Sequence, residues 1–257
     1  MNDFSRTYSG APSMDMSVDA GLRKFMLGVY NKMGLGLLIS AVLAYAVGTV
    51  TPLTALVYGT PLLFVVQWGP IAILFGSMFF MRNPSPAGSA LLYWSIVALI
   101  GTGLSVWVVM AGGAAPEGVT TAGGRTLAIS WATIVQAFTI TAGAFLGLSV
   151  FGYTTKMNLQ PIQSFLFMGM IGAILLGILN FAFFHSAGLE LLLQFGVLLL
   201  MAGVTAWQTQ SLKVMYYQVA GDQRSMAVLT NMGALNLYIA FVNMFQIILS
   251  LMGGSRQ

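Results

Sequence analysis

The stretch that decides the fold is residues 33–81, which read MGLGLLISAVLAYAVGTVTPLTALVYGTPLLFVVQWGPIAILFGSMFFM. This stretch contains no charged residue. A membrane-spanning helix needs about 20 apolar residues at a rise of about 1.5 Å each, so the stretch is long enough for two spans. The Thr51-Pro52 pair lies inside it and marks a break between them. The sequence here therefore predicts two consecutive helices in lipid.

The rest of the chain repeats this pattern of charge-free intervals. Residues 83–116, 126–155, 157–189, 191–212 and 225–255 also carry no charge, and each interval can hold one span. The seven predicted spans are Gly28–Val50, Pro61–Met81, Gly88–Ala111, Leu127–Tyr153, Ser164–Phe184, Glu190–Gln210 and Asn231–Met252. The predicted fold class is therefore all-α, a polytopic membrane protein of seven transmembrane helices.

Composition gives the same answer independently of any single segment. The chain has 257 residues, of which 58% are hydrophobic and 6% are charged, whereas soluble domains carry about 25% charged residues. Such a chain cannot cover a water-facing surface, so its main partner is the lipid bilayer. The net charge of +4 sits on residues between apolar segments, as in membrane anchors, and predicts no nucleic-acid binding.

Domain organisation and orientation follow from where the charges lie. Residues 1–20 lack an apolar core and predict a disordered tail rather than a signal peptide, and residues 21–254 form the seven-helix transmembrane domain. If the N-terminus is cytoplasmic, only Arg125 and Arg256 of the ten Lys and Arg residues face outward. This positive-inside bias predicts a cytoplasmic N-terminus and an external C-terminus.

Catalytic chemistry finds little support in the sequence. There is no cysteine and one histidine, His185, so neither a thiolate site nor a multi-histidine metal centre is expected. The chain has no GxSxG, HExxH or P-loop motif, and none of its six acidic residues falls well inside a predicted span. We therefore expect no enzyme activity, no bound metal and no cofactor.

Two stripes of uncharged polar side chains are the candidate functional residues. The stripes consist of Gln194, Thr205 and Gln208 in the sixth predicted span and of Asn236, Asn243 and Gln246 in the seventh. Amide side chains avoid lipid because an unpaired amide costs several kcal/mol in hydrocarbon. The stripes are interpreted either as a polar path or ion site, or as interhelical hydrogen bonds worth about 0.6–2 kcal/mol each.

Several other features leave more than one interpretation open. Arg82 ends the second span, where it is either an interfacial anchor or a cation at a cytoplasmic mouth. Val18–Lys32 and Lys213–Leu229 are either amphipathic helices on the membrane surface or polar connectors. Gly143 and Gly147, four residues apart in the fourth span, fit close helix packing.

Four separated motifs make the chain resemble a known family. They are Asp19-Ala20-Gly21-Leu22-Arg23 followed by Val29-Tyr30-Asn31, then Phe151–Lys156, Gly203–Gln210 and Gly233–Phe245. Together, and in this order, they resemble bacterial Bax inhibitor-1 (YccA-like) membrane proteins over nearly the whole chain from Asp19. The resemblance implies a bundle with one central helix in the bacterial inner (plasma) membrane.

The resemblance also implies a function and a site. Members are regarded as pH-sensitive calcium leaks, and some bacterial members bind a membrane-bound quality-control protease. In the leak mechanism, one aspartate from each of the last two helix motifs forms a proton-sharing pair. This chain carries Gln208 and Ala240 at those two positions, while Arg82 matches the family's arginine at the end of the second helix.

The expected function is therefore that of a divergent member of this family. Gln208 and Ala240 cannot share a proton, so we expect a cation (calcium) leak whose pH switch is lost. Calcium or other cations are the expected solutes. The alternative is a non-conducting modulator of membrane protein quality control that binds a membrane-bound protease, with the polar N-terminal tail as the segment that the partner engages.

Overall fold

The computed structural model describes residues 20–80, 83–112, 119–120 and 126–254. Within this part, the first five helices are α1 Ala20–Thr49, α2 Thr51–Tyr58, α3 Leu62–Phe80, α4 Pro86–Gly103 and α5 Ser105–Ala111. The remaining helices are α6 Trp131–Thr154, α7 Ile162–Leu179, α8 Ala187–Val219 and α9 Gln223–Met252. A π-helical turn, Asn180–Phe184, continues α7, and the short strands β1 Val119–Thr120 and β2 Thr126–Leu127 pair antiparallel.

The prediction of seven spans in an all-α fold is confirmed. In the described part of the chain, seven helical segments are long and apolar enough to cross a membrane, with α4 and α5 together forming the third of them. The π-helical turn completes the fifth span, and α2 is too short to be one. We call the end of the bundle at which α1 begins the N-terminal rim, and the other end the opposite rim.

The helices extend further towards the N-terminal rim than predicted. α1 begins at Ala20 rather than Gly28, α8 continues to Val219, and α9 begins at Gln223. The described part of Val18–Lys32 is the first part of α1, and Lys213–Leu229 consists of the end of α8, the turn 220–222 and the start of α9, so neither segment forms a helix separate from the spans. Long basic side chains near helix ends reach the membrane interface, so a charge does not end a helix there.

A side-chain cap fixes the start of α9. Asp222 accepts hydrogen bonds from the backbone N–H groups of Arg224 at 3.0 Å and Ser225 at 3.2 Å, and from the Ser225 hydroxyl. The hydrogen bond from the Ser225 side chain, followed by those from the two backbone groups, holds the pKa of the Asp222 carboxyl below its ordinary value. This cap lets α8 and α9 reverse direction within three residues, 220–222.

The core of the bundle is built around α9. This helix contacts α1, α4, α6 and α8. A larger share of its apolar stretch is buried than in any other of the seven described spans. Tyr238, near its middle, is completely buried, and its hydroxyl hydrogen-bonds the Ser40 hydroxyl of α1 at 2.6 Å. The central helix that the family resemblance implies is therefore α9.

Close packing of α6 depends on a glycine that the GxxxG pattern did not identify. Nothing lies within 4 Å of a Cβ built on Gly143 or Gly147, so the packing prediction for this pair is wrong. The glycine that allows close approach is Gly152, where a Cβ would lie 2.3 Å from the carbonyl oxygen of Ala206 in α8. Backbone atoms cannot yield as a flexible side chain does, so this contact sets the distance between α6 and α8.

A pair of alanine substitutions in α6 tests this packing. Gly152→Ala should lower the free energy of unfolding by about 1–3 kcal/mol, because α6 must move away from α8 to admit the methyl group. Gly147→Ala, in the same helix but facing open space, should leave the thermal midpoint unchanged or raise it slightly. Thermal unfolding of the detergent-purified variants measures both, and equal midpoints for the two would contradict the assignment.

Candidate functional site

One side of α9 is left uncovered by its four neighbours. α3 packs on α4 and α7 packs on α8, and two cavities lie against α9 between these helix pairs. Ile239 lines both cavities, so they are adjacent. Five amide side chains contribute to their lining: Gln67, Gln208, Asn236, Asn243 and Gln246. We call the two cavities together, with these five side chains, the amide groove.

The first cavity lies nearer the opposite rim. Its volume is about 490 Å³, and it lies between α9 and the helices α2 to α5. Asn243 and Gln246 are three residues apart on α9 and therefore share a face, and Gln67 of α3 joins them across the cavity. Tyr58, at the end of α2, also lines the cavity and is held by a 2.9 Å hydrogen bond between its hydroxyl and that of Ser105.

The second cavity lies further from the opposite rim than the first, and different helices enclose it. It has a volume of about 330 Å³ and is lined by residues of α7, α8 and α9. Gln208 of α8 and Ala240 of α9, the two positions that the resemblance assigns to the aspartate pair, both line it, together with Asn236. The fold thus brings these two positions into one cavity, although no acidic side chain is present at either.

Polar groups in and beside the second cavity lack partners within the described part of the chain. The Gln208 side-chain oxygen and the Trp207 ring nitrogen are buried and form no hydrogen bond there. The Asn236 side chain is exposed, at the side of the bundle. An amide without a partner is unfavourable in hydrocarbon, so the groove requires water or a polar occupant.

The predicted stripe on α8 divides between two roles. Gln194 donates hydrogen bonds to Glu190 at 3.0 Å and to the Ser250 hydroxyl of α9 at 3.1 Å. Thr205 is completely buried, and its hydroxyl donates to the Met201 carbonyl at 2.9 Å. These two residues join helices or satisfy the backbone, and only Gln208 of this stripe lies in the groove.

The groove carries no charge in the described part of the chain. None of the side chains that line its two cavities is acidic or basic, and the described residues contain no cluster of three or more His, Asp or Glu side chains that could hold a metal ion. Arg82, the predicted cation at a cytoplasmic mouth, lies outside the described residues. The groove can therefore offer amide dipoles to an occupant, but not a counter-charge.

Comparison with known proteins agrees with the motifs. Residues 22–257 match the protein family described as "Inhibitor of apoptosis-promoting Bax1". This chain belongs to the Bax inhibitor-1 family.

Related bacterial proteins align with it over most of its length. An uncharacterized protein of Caulobacter vibrioides is 44% identical over the whole of both chains. The uncharacterized protein RP147 of Rickettsia prowazekii is 30% identical, also over the whole of both chains. The inner membrane protein YbhL of Escherichia coli K12 is 30% identical over 92% of this chain and 94% of its own.

Two of the motifs shared with the Bax inhibitor-1 family, each together with the residues just after it, meet at the N-terminal rim. The Gln210 side chain, which ends the Gly203–Gln210 motif, accepts from the Leu159 N–H and donates to the Met157 carbonyl, both at 2.7 Å. Lys213 donates to the Tyr153 carbonyl of α6 at 2.7 Å. α8 thus holds the connection between α6 and α7. Sequence reasoning missed this role, although Gln210 and Tyr153 both lie within the motifs.

A second network at this rim joins α1, α4 and α9. Lys32 donates a hydrogen bond to the Asn231 side-chain oxygen, and the Asn231 nitrogen donates to the Ser89 hydroxyl at 2.8 Å. The Tyr93 hydroxyl donates to the Lys32 carbonyl at 2.7 Å. No sequence pattern predicted this network, because its members come from three distant segments. It fixes α9 against α1 and α4 at the rim away from the amide groove.

Two leucine substitutions distinguish the groove from ordinary packing. Asn236→Leu should raise the free energy of unfolding by about 1 kcal/mol, because it replaces an exposed amide at membrane depth with an apolar side chain. Gln194→Leu should lower it by about 1–2 kcal/mol, because Ser250 loses its hydrogen bond across the helices. Thermal unfolding in detergent measures both changes. A loss of stability in Asn236→Leu as large as that in Gln194→Leu would identify Asn236 as a packing residue.

Proposed function

We propose that this member of the Bax inhibitor-1 family is a non-catalytic permeation protein of the bacterial inner membrane, in which the amide groove conducts small cations. The observation that supports it is the convergence of five amide side chains, from α3, α8 and α9, on two adjacent cavities at membrane depth. Amide oxygens replace part of a cation's hydration shell, and amide nitrogens hydrogen-bond water beside it.

The length of the groove agrees with part of a transmembrane path. Asn236 and Gln246 are ten residues apart on α9, which corresponds to about 15 Å along the helix. The hydrocarbon core of a bilayer is about 30 Å thick. The amides thus line about half of a path, from the opposite rim to the middle of the membrane. Conduction along the whole path then requires the helices to separate between Asn236 and the N-terminal rim.

The chemistry of the groove sets its expected selectivity. Calcium prefers charged oxygen ligands, and no described residue lining the groove supplies one. A calcium leak is therefore expected to be weak, with monovalent cations passing at least as well. None of the amides titrates near neutral pH, so the conductance should not depend on pH in that range.

The orientation of the groove follows from the positive-inside rule. With the N-terminus in the cytoplasm, Arg23, Lys24, Lys213 and Arg224 all lie at the cytoplasmic end of the bundle, and the groove lies in the half of the membrane nearer the outside. The related YbhL is named as an inner membrane protein, which supports this location. A reporter enzyme that is active only outside the cytoplasm should be active when it is fused to the C-terminus. A reporter that is active only inside the cytoplasm should be inactive there, and the reverse result would contradict the seven-span orientation.

Flux through liposomes tests the proposed conduction. Vesicles that contain the purified protein should show a potassium flux that changes little between about pH 6 and 8, because no amide titrates in this range. Calcium entry, followed with an internal dye, should be slower. Asn243→Leu should reduce the potassium flux, since it removes an amide from the first cavity.

Two controls show whether the flux uses the groove. Gln136→Leu removes an exposed amide on α6 that lines neither cavity of the groove, so the flux should not change. A steep pH dependence that survives Gln208→Ala would show that another group senses protons. The alternative role is a modulator of membrane proteolysis. It is favoured if deletion of residues 1–18 abolishes an effect on protease substrates in cells while neither the full-length protein nor the deletion variant conducts ions.

A further inference from the structure

The central helix has a second open side, and it differs in chemistry from the first. Between α1 and α6, a cavity of about 340 Å³ lies against α9 and is lined almost entirely by apolar side chains, among them Ala44, Val108, Phe138 and Phe245. We call this cavity the apolar slot. Lipid chains can fill most of the apolar slot without losing hydrogen bonds. The slot adjoins the first cavity at Trp107 and Val242, which line both, and the Trp107 ring nitrogen has no partner in the described part of the chain.

The amide groove cannot be filled in the same way. Gln67 and Asn236 are exposed at the side of the bundle, so the groove is open laterally as well as lined with amides. Hydrocarbon in the groove would leave these amides unpaired, at a cost of several kcal/mol for each. The two sides of one helix thus require different occupants at the same depth in the membrane.

A groove that is polar and open at the side also matches the two parts of an amphiphile. A phospholipid whose headgroup lies in the groove keeps its acyl chains in the surrounding bilayer, so each part meets a matching environment. The open side then becomes the route by which the chains follow the headgroup.

We propose that the amide groove admits phospholipid headgroups from the leaflet at the opposite rim and so speeds the exchange of lipids between the two leaflets. The lipid class is a phospholipid with a zwitterionic headgroup, since no charged side chain lines the groove in the described part of the chain. Amide groups hydrogen-bond the phosphate and ester oxygens of such a lipid and need no counter-ion. The proposal rests on the same hydrated groove as the proposed conduction, but it requires only the groove's open side.

The length of the groove explains how it lowers the barrier. Its amides extend over about 15 Å of a hydrocarbon core about 30 Å thick. A headgroup that enters the groove has therefore crossed about half of the core before it leaves its polar partners.

Lipid exchange is measured in vesicles that hold the purified full-length protein. The vesicles consist of phosphatidylcholine with a trace of fluorescent short-chain phosphatidylcholine in both leaflets, and external albumin extracts the fluorescent lipid from the outer leaflet only. In vesicles with protein, albumin should extract the label from both leaflets. If the inner-leaflet label stays protected, as in protein-free vesicles, the proposal is overturned.

Substitutions show whether exchange uses the groove. The double variant Asn236→Leu, Asn243→Leu should slow exchange by about tenfold or more, a factor equivalent to about 1.4 kcal/mol in the barrier. Gln136→Leu, which removes an exposed amide outside the groove, should exchange lipid at the wild-type rate. Asn236→Gln keeps an amide and should retain most of the rate. An unchanged rate in the double variant would overturn the proposal, and its thermal midpoint confirms that it is folded.

Cation flux measured in the same vesicles separates this proposal from the proposed function. Exchange without potassium flux supports the lipid route and contradicts conduction. Flux without exchange contradicts the lipid route and leaves conduction intact. Because albumin neither crosses the membrane nor reacts with ions, a cation leak cannot imitate lipid exchange in this assay.

Discussion

A side chain that hydrogen-bonds in water must still find a partner in hydrocarbon, and α9 is the helix on which this constraint acts most strongly. Four helices cover most of its surface, and Tyr238 and Asn231 are paired with side chains of neighbouring helices. Asn236, Asn243 and Gln246 instead line cavities on an uncovered side. The bundle therefore satisfies the polar groups that hold it together and leaves a separate set facing a groove.

The fold was predictable because lipid imposes a strict rule on sequence. A span needs a long interval without charge, and the intervals in this chain are well separated by Lys, Arg, Asp and Glu. The ends of the helices were less predictable. Lys213 belongs to α8 although it is charged, because its amino group reaches the Tyr153 carbonyl at the end of α6. The sequence carries no sign of that partner 60 residues away.

The candidate site was predictable only in part, for a geometric reason. Helical periodicity assigns residues to a face of their own helix, and it correctly puts Asn243 and Gln246 on one face of α9. It does not say what stands opposite that face. Gln194 and Gln208 share a predicted stripe on α8, yet one bonds Ser250 and the other lines a cavity. Gln67 was missed because a single amide in an apolar helix forms no stripe.

The described residues that line the groove carry no charge, and this decides what its polarity can achieve. A pair of carboxylates at positions 208 and 240 would couple the cavity to pH and attract cations. Gln208 keeps hydrogen-bonding capacity without a charge, and Ala240 adds space rather than a polar group. Both changes favour an occupant that is itself a neutral dipole, or that carries its own counter-charge. Water and zwitterionic headgroups meet this condition directly, and a cation meets it with part of its hydration shell in place. The chemistry that removes a pH switch therefore also changes which molecules the groove can hold.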